Sequence, residues 1–327
     1  MRTVSKALFA LAVLLVAIVT WAGLEGKRRF TRPGPLAEAA TVVIAKGSGL
    51  EAIARKLAAN GVVPDPYSFM VGAKLRQASL KAGEYAFPAH ISPQDAVAMM
   101  GEGRTVVHKL TIAEGLTSKQ ILALVREADY LSGDLVAVPP EGALLPETWH
   151  LNRDDARDEV VGRMEKSMRQ LMDQLWPVRA TDLPVKTKEQ ALVLASIVER
   201  ETGIKAERPM VAAVFVNRLR LGMRLQSDPT VIYGLSDGMG VLDRPITRTD
   251  LETPHRWNTY VIEGLPPTPI ANPGRASIEA VLHPAKSEAL YFVADGTGGH
   301  VFANSLNEHN KNVANWRKVE KARREGK

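Results

Sequence analysis

The longest uninterrupted apolar stretch comes first. Residues 7–24 read ALFALAVLLVAIVTWAGL without a charge. That is long enough to cross a bilayer as a helix, and Trp21 stands where an interfacial anchor would. A cleaved signal peptide is the rival; its apolar core is usually shorter, and no clean A-x-A site follows. A linker with Pro33 and Pro35 occupies 26–40. The β-branched run Thr41 to Ile44 then predicts a strand. Leu50, Ile53, Ala54 and Leu57 recur at helical spacing, with Gly61 as the stop. A second helix is expected from Pro66 to Leu75, a strand beginning at Ala82, and a helix capped by Ser92 and ending near Gly101.

From Val106 the pattern changes. Val106 to Ile112 predicts a strand, and Thr117 or Ser118 caps a helix to Ala128. A loop spans 129–140, and Asp154 to Trp176 reads as a long amphipathic helix. Thr187 and Gln190 have capping-box spacing. They open a helix reading QALVLASIVERET, on which Ala191, Leu194, Ile197 and Val198 share one face. Glu201 lies seven residues after Leu194, only about 20° away in helical phase. Glu199 falls at the edge of that face and Arg200 points away. A carboxyl on an apolar face is held protonated by desolvation, as a general acid requires. The alternative is that the helix simply ends at Glu201 and the side chain reaches water; phase alone favours this second reading. A basic helix is expected over Trp316 to Lys327.

Composition narrows the class only slightly. The 327 residues are 45% hydrophobic and 24% charged, an ordinary globular mixture that can bury a sizeable core. There is no cysteine, which excludes disulfides and thiol chemistry. The formal net charge of +6 suits an anionic surface or polymer, or a solvated basic face. Arg2 and Lys6 precede the apolar stretch and Lys27, Arg28, Arg29 and Arg32 follow it, so charge alone leans against export. No phosphate loop, G-x-S-x-G elbow or H-E-x-x-H pair occurs, and His300 and His309 lack a partner at ligand spacing. No metal or cofactor is expected.

Several blocks stand in a telling order: ASIVERET, Val214 to Leu219, Gly222 to Gly234, Asn258-Thr259-Tyr260, Gly264 to Ile270, Asn272-Pro273-Gly274, Tyr291 to Val293, and Gly299 to Phe302. Together they closely resemble the endolytic murein transglycosylase, or YceG-like, family across nearly the whole chain. The resemblance implies a lyase that cuts nascent peptidoglycan strands internally without water and leaves anhydro-muramic ends. It implies Glu201 as catalytic acid, in a Glu-Thr pair like the Glu-Ser pair of other lytic transglycosylases. It also implies a single-span inner-membrane protein with a periplasmic enzyme, working beside glycan polymerases and not on nucleic acid.

The expected fold is α+β: an N-terminal transmembrane helix with its cytoplasmic tip (1–25), the linker, a LysM-like strand-helix-helix-strand module (41–105) and a mixed catalytic domain (106–327). A Phe-Pro-Asp-Thr-Tyr-like block of the family is here Leu145-Pro146-Glu147-Thr148-Trp149, which makes Glu147 a candidate substrate contact. Gln226, Asp228, Thr230 and Tyr233 place polar groups at a loop-to-helix start, where Asp228 or Ser227 serves as cap, ligand contact or both. Asn258, Thr259 and Tyr260 are expected to meet sugar amides and hydroxyls, and either tyrosine is read as a stacking platform or as core. Arg224, Arg256 and Arg275 are candidates for acidic peptide stems. Two rivals remain. A hydrolytic muramidase would set a second carboxylate (Glu147, Glu199 or Asp228) opposite Glu201. A membrane-tethered wall-binding scaffold would not cut at all.

Overall fold

The structure, a computed structural model, describes residues 2–325. It divides into two compact units, one of Met1–His108 with His150–Asp154, the other of Lys109–Trp149 with Asp155–Lys327.

The first unit opens with helix α1 (Arg2–Thr31). Its stretch Leu8–Thr31 is long and apolar enough to cross a membrane and is exposed. The helix runs on through residues read as linker. Gly26 alone does not break it, because Lys27, Arg28 and Arg29 are good helix formers and Arg29 pairs with Glu25 one turn back. Pro33 follows its end. Strand β1 (Ala40–Ile44) leads through α2 (Leu50–Ala59) and α3 (Pro66–Leu75) to β2 (Gly83–Phe87) and α4 (Pro93–Glu102). The strands pair antiparallel, Ala40 opposite Phe87 and Ile44 opposite Gly83. Val42 and Ile44 alternate inward onto Ile53, Leu57, Phe69, Tyr85 and Phe87. Asp65 and Ser92 cap α3 and α4 with their side chains. Phe30, in the last turn of α1, sits where a Cβ on Gly72 would lie, so only glycine admits that contact.

Strand β3 is His108–Thr111, shorter than expected at both ends. In the second unit α5 (Ser118–Glu127) takes Thr117 as its cap, with the complete reciprocal box to Gln120. Strand β4 (Thr148–Leu151) follows, its last two residues belonging to the first unit. Helix α6 (Arg157–Leu175) starts later than expected, because Asp154 adopts φ +64°, outside the helical region. Helix α7 (Lys188–Glu201) has Thr187 at its cap, accepting from the Gln190 amide. The Gln190 side chain, however, accepts from Lys186 N rather than closing the box. Next come α8 (Arg208–Arg220), α9 (Asp228–Leu235), α10 (Arg248–Glu252) and α11 (Arg275–Leu282). The antiparallel pair β5 (Tyr291–Ala294) and β6 (His300–Ala303) precedes α12 (Leu306–Glu325). That last helix begins well before Trp316, since Ser305 accepts from the Glu308 amide and Glu308 answers to the Asn304 amide.

Helix α7 is the centre of this unit. Leu194, Ala195, Ile197 and Val198 pack with Val211, Ala212 and Phe215 of α8 and with Ile278, Val281 and Leu282 of α11. Ser196 and Val193 are buried too, so the helix is enclosed on most of its circumference rather than along one stripe. The chain is therefore a mixed α+β protein with one N-terminal apolar helix.

Candidate active site

The last turn of α7 delivers two carboxylates into the protein, and they meet opposite surroundings. Glu199, expected at the edge of the apolar face, is buried at 9% exposure. Its Oε1 accepts from Arg208 Nη2 at 2.7 Å and its Oε2 from the Gly274 amide at 2.9 Å. Arg208, itself buried, also reaches Glu114 at 3.0 Å. Glu199 is thus a buried ion-pair partner joining α7, α8 and the start of α11.

Among the described residues, no such cation lies against the oxygens of Glu201. It opens onto a cleft of about 390 Å³ that it shares with Arg218, Gln226, Asp228, Tyr260, Tyr291 and His309, among others. Burial pushes its carboxyl up to about 7. The Ser227 hydroxyl, which donates to Glu201 Oε1 at 2.5 Å, opposes the rise; the Asp228 charge adds to it; His300 and Arg218 oppose it more weakly. The group therefore keeps its proton to much higher pH than an ordinary carboxyl, the condition a general acid needs.

Ser227 was read from the sequence as a possible cap of α9. It occupies the N-cap position but makes no cap bond, because its hydroxyl is turned to Glu201. The loop that carries it is fixed from behind. Ser227 N donates to Thr259 Oγ1 at 2.9 Å, Thr230 Oγ1 donates to Ser227 O at 2.6 Å, and the two threonine hydroxyls lie 2.9 Å apart. Gln226 N donates to Thr259 O, and Gln226 itself takes φ +51° with its side chain exposed at the cleft.

These bonds divide the expected contact set. Thr230, Thr259 and Asn258 are fully buried, with their polar groups turned to neighbouring protein atoms. Asn258 donates to the carbonyls of Asp250, Leu251 and Thr253 and accepts from the Tyr260 amide, so its polar atoms are spent on the backbone. Tyr233 is also buried; its hydroxyl donates to Glu141 at 3.1 Å and its ring meets Trp257 edge-on, away from the Glu201 cleft. Glu147 is exposed, accepts from the Thr148 amide and does not line the cleft. Of the three carboxylates read as possible partners for Glu201, only Asp228 lines it. Asp228 Oδ1 accepts from the Tyr260 hydroxyl at 2.5 Å, and burial together with that carboxylate holds the tyrosine proton on well above its usual range.

The remaining named side chains are scattered. Arg224 donates to Tyr260 O, Arg256 lies over the Trp257 ring and Arg275 pairs with Glu279 on its own helix. His300 Nδ1 lies 2.8 Å from Glu207.

Three polar or aromatic side chains of the cleft, Arg218, Tyr291 and His309, are not among the site residues expected from the sequence. Arg218 is buried on α8, donates to the carbonyls of Leu290 and Leu225, and lies 5.1 Å from the Tyr291 ring centre. An arginine inside the apolar run Val211 to Leu219 was a usable signal, since a buried cation needs acceptors built around it. His309 stacks on Tyr291, and burial and Arg218 hold its imidazole toward the neutral form. Tyr291 itself closes the group. The latter two come from distant elements, and nothing in their local spacing joins them to Glu201.

The model of the YceG-like family matches residues 42–315, and the chain belongs to that family. It is 32% identical over 302 residues to a Bacillus subtilis protein named endolytic murein transglycosylase, covering 82% of each chain. It is 29% identical over 322 residues to the protein of the same name from Streptococcus pneumoniae serotype 2, covering 84% of this chain but only 58% of that longer one. A crystal structure of a yceG-like protein from Listeria monocytogenes is 32% identical, with a TM-score of 0.50 over 84% of this chain and 99% of that one.

Proposed function

We propose that the chain is an endolytic peptidoglycan lytic transglycosylase, a lyase that cleaves the bond between N-acetylmuramic acid and N-acetylglucosamine and leaves 1,6-anhydro ends. The observation that carries this is the Glu201 carboxyl at the end of α7, open to a cleft and raised to about 7 by burial. The names of the B. subtilis and S. pneumoniae relatives support the same reading.

Glu201 donates its proton to the glycosidic oxygen as the bond to muramyl C1 breaks, releasing the 4-hydroxyl of the next sugar. The muramyl 6-hydroxyl then bonds to C1, and its proton passes to the Glu201 carboxylate, restoring the acid. No water is consumed. Ser227 holds the carboxyl in place. Gln226, Asp228 and Tyr260 are the expected residues that meet sugar at the cleft, while Thr230 and Thr259 support the loop.

In this reading α1 is a single inner-membrane span with a short cytoplasmic tip, and the enzyme is periplasmic. Residues 41–105 act as a LysM-like glycan-binding module and 106–327 as the catalytic domain. The enzyme ends nascent strands beside the glycan polymerases. Glu201→Gln should abolish strand cleavage while leaving the fold and glycan binding intact. Mass spectrometry of digests should show products lighter by one water than hydrolysis gives. Reducing ends instead would favour a hydrolase in which Asp228 assists, and unchanged cleavage by the variant would refute the assignment of Glu201.

A further inference from the structure

We propose that the exposed face of α3 is a membrane-docking surface, which seats the first unit at the boundary between headgroups and acyl chains. The proposal rests on the reading of α1 as a membrane span. Tyr67, Val71 and Leu75 recur every fourth residue and so share one face of α3. They are 76%, 56% and 81% exposed. The opposite face carries Phe69 and Ala73 into the core, so the stripe is surplus to the packing of this unit.

Its position relative to α1 identifies the occupant. The three side chains line one groove of about 670 Å³ with Ala22, Gly23 and Gly26 of α1. The uncharged run of α1 ends at Leu24, so the groove runs from the last apolar turn of the span, Ala22 and Gly23, into the charged turns that follow it. Phe30 against Gly72, with Arg76 5.2 Å from the Phe30 ring centre, holds the middle of α3 beside the turn just beyond the apolar run. The rim carries three exposed cations, Lys27 and Arg29 on α1 and Arg76 on α3, against one acid, Asp65. Such side chains lay their stems on apolar surface and extend their charge to phosphates. Trp21 and Tyr67 supply aromatic rings of the kind that populate this layer. An apolar stripe at interfacial depth, with a mainly cationic rim, fits lipid.

The absence of cysteine allows a direct test. Single spin labels are placed at Val16→Cys, Arg55→Cys, Val71→Cys and Leu75→Cys in the full chain, held in nanodiscs of phosphatidylethanolamine and phosphatidylglycerol. Labels at 71 and 75 should collide with oxygen several-fold more, relative to a water-soluble nickel complex, than the label at 55 on α2. The label at 16 should report deep hydrocarbon. If 71 and 75 match 55 while 16 reads as lipid, the docking surface is wrong and the span stands. If 16 itself reads as water, the span fails and takes the docking surface with it. Labels at 71 and 75 shielded from both reagents and broadened by each other would put a second copy of the chain on the stripe and overturn the proposal.

Discussion

Ser227 and Asp228 are adjacent, yet they pull the Glu201 carboxyl in opposite directions. The serine hydroxyl favours the ionised form and the aspartate charge disfavours it. Two substitutions should therefore move the alkaline limb of the rate-against-pH profile oppositely. Ser227→Ala should carry it upward by about one pH unit, the worth of a hydrogen bond to a charged group. Asp228→Asn should carry it downward. Limbs that move together, or not at all, would separate Glu201 from the titration that controls rate. The raised carboxyl also has a stability consequence. Its folded-state value of about 7 exceeds the ordinary 4.5, so the folded chain holds the extra proton between those values. Stability from this group is complete below about pH 4.5 and is lost as pH rises through 7, up to about 3 kcal/mol in all. Glu201→Gln removes the dependence, so the melting temperature of the variant should gain on that of the parent between pH 5 and 8. A constant gap would argue against the raised value.

At the scale of elements, α7 shows what helical phase can and cannot reveal. The spacing of Ala191, Leu194 and Ile197 places Glu201 on the core side, where the structure has it. It could not show that α8 and α11 also close over the neighbouring face and bury Glu199. The difference between the two acids lies in what comes from elsewhere: Arg208 on α8 and the Gly274 amide ahead of α11 for one, Ser227 for the other. Periodicity within one helix carries no information about such partners. The polar residues at 226–230 and 258–260 were legible as a cluster, but which of them faced inward was not. Thr230 and Thr259 look as suitable for binding sugar as Gln226 does until their hydroxyls are seen joined. Glu199→Ala should cost about 3 kcal/mol in urea denaturation, because it leaves Arg208 buried with Glu114 as its remaining acid. A shift well under 1 kcal/mol would show that the pair contributes little.

Across the whole molecule, the change of hydrophobic pattern near Val106 falls close to the division of the chain at His108. It is visible in the sequence because the residues on either side of it bury separate cores. The return of His150–Asp154 to the first unit was not visible, since a five-residue crossing leaves no periodic trace. The charge flanking α1 leans against the export proposed for this chain. Deleting residues 1–25 should move the chain from the detergent to the aqueous phase of a Triton X-114 separation, with the far-ultraviolet spectrum of the remaining folded chain preserved. Retention in the detergent phase would mean that α1 is not what holds the protein to membranes.

The continuation of α1 to Thr31 sets the reach of the protein. Residues 26–40 as a flexible tether would let the first unit wander by about 20 Å. Instead the helix persists through the first six of those fifteen residues, and just beyond it Gly34 N is bonded to the carbonyls of His90 and Ile91. A Cβ at Gly34 would fall 2.4 Å from the Ile91 oxygen, so this joint admits no other residue. With α1 in a bilayer, the first unit has no slack and stands at a fixed height. Under the proposed function, glycan would have to meet it at the membrane surface, where newly made strands lie and mature wall does not.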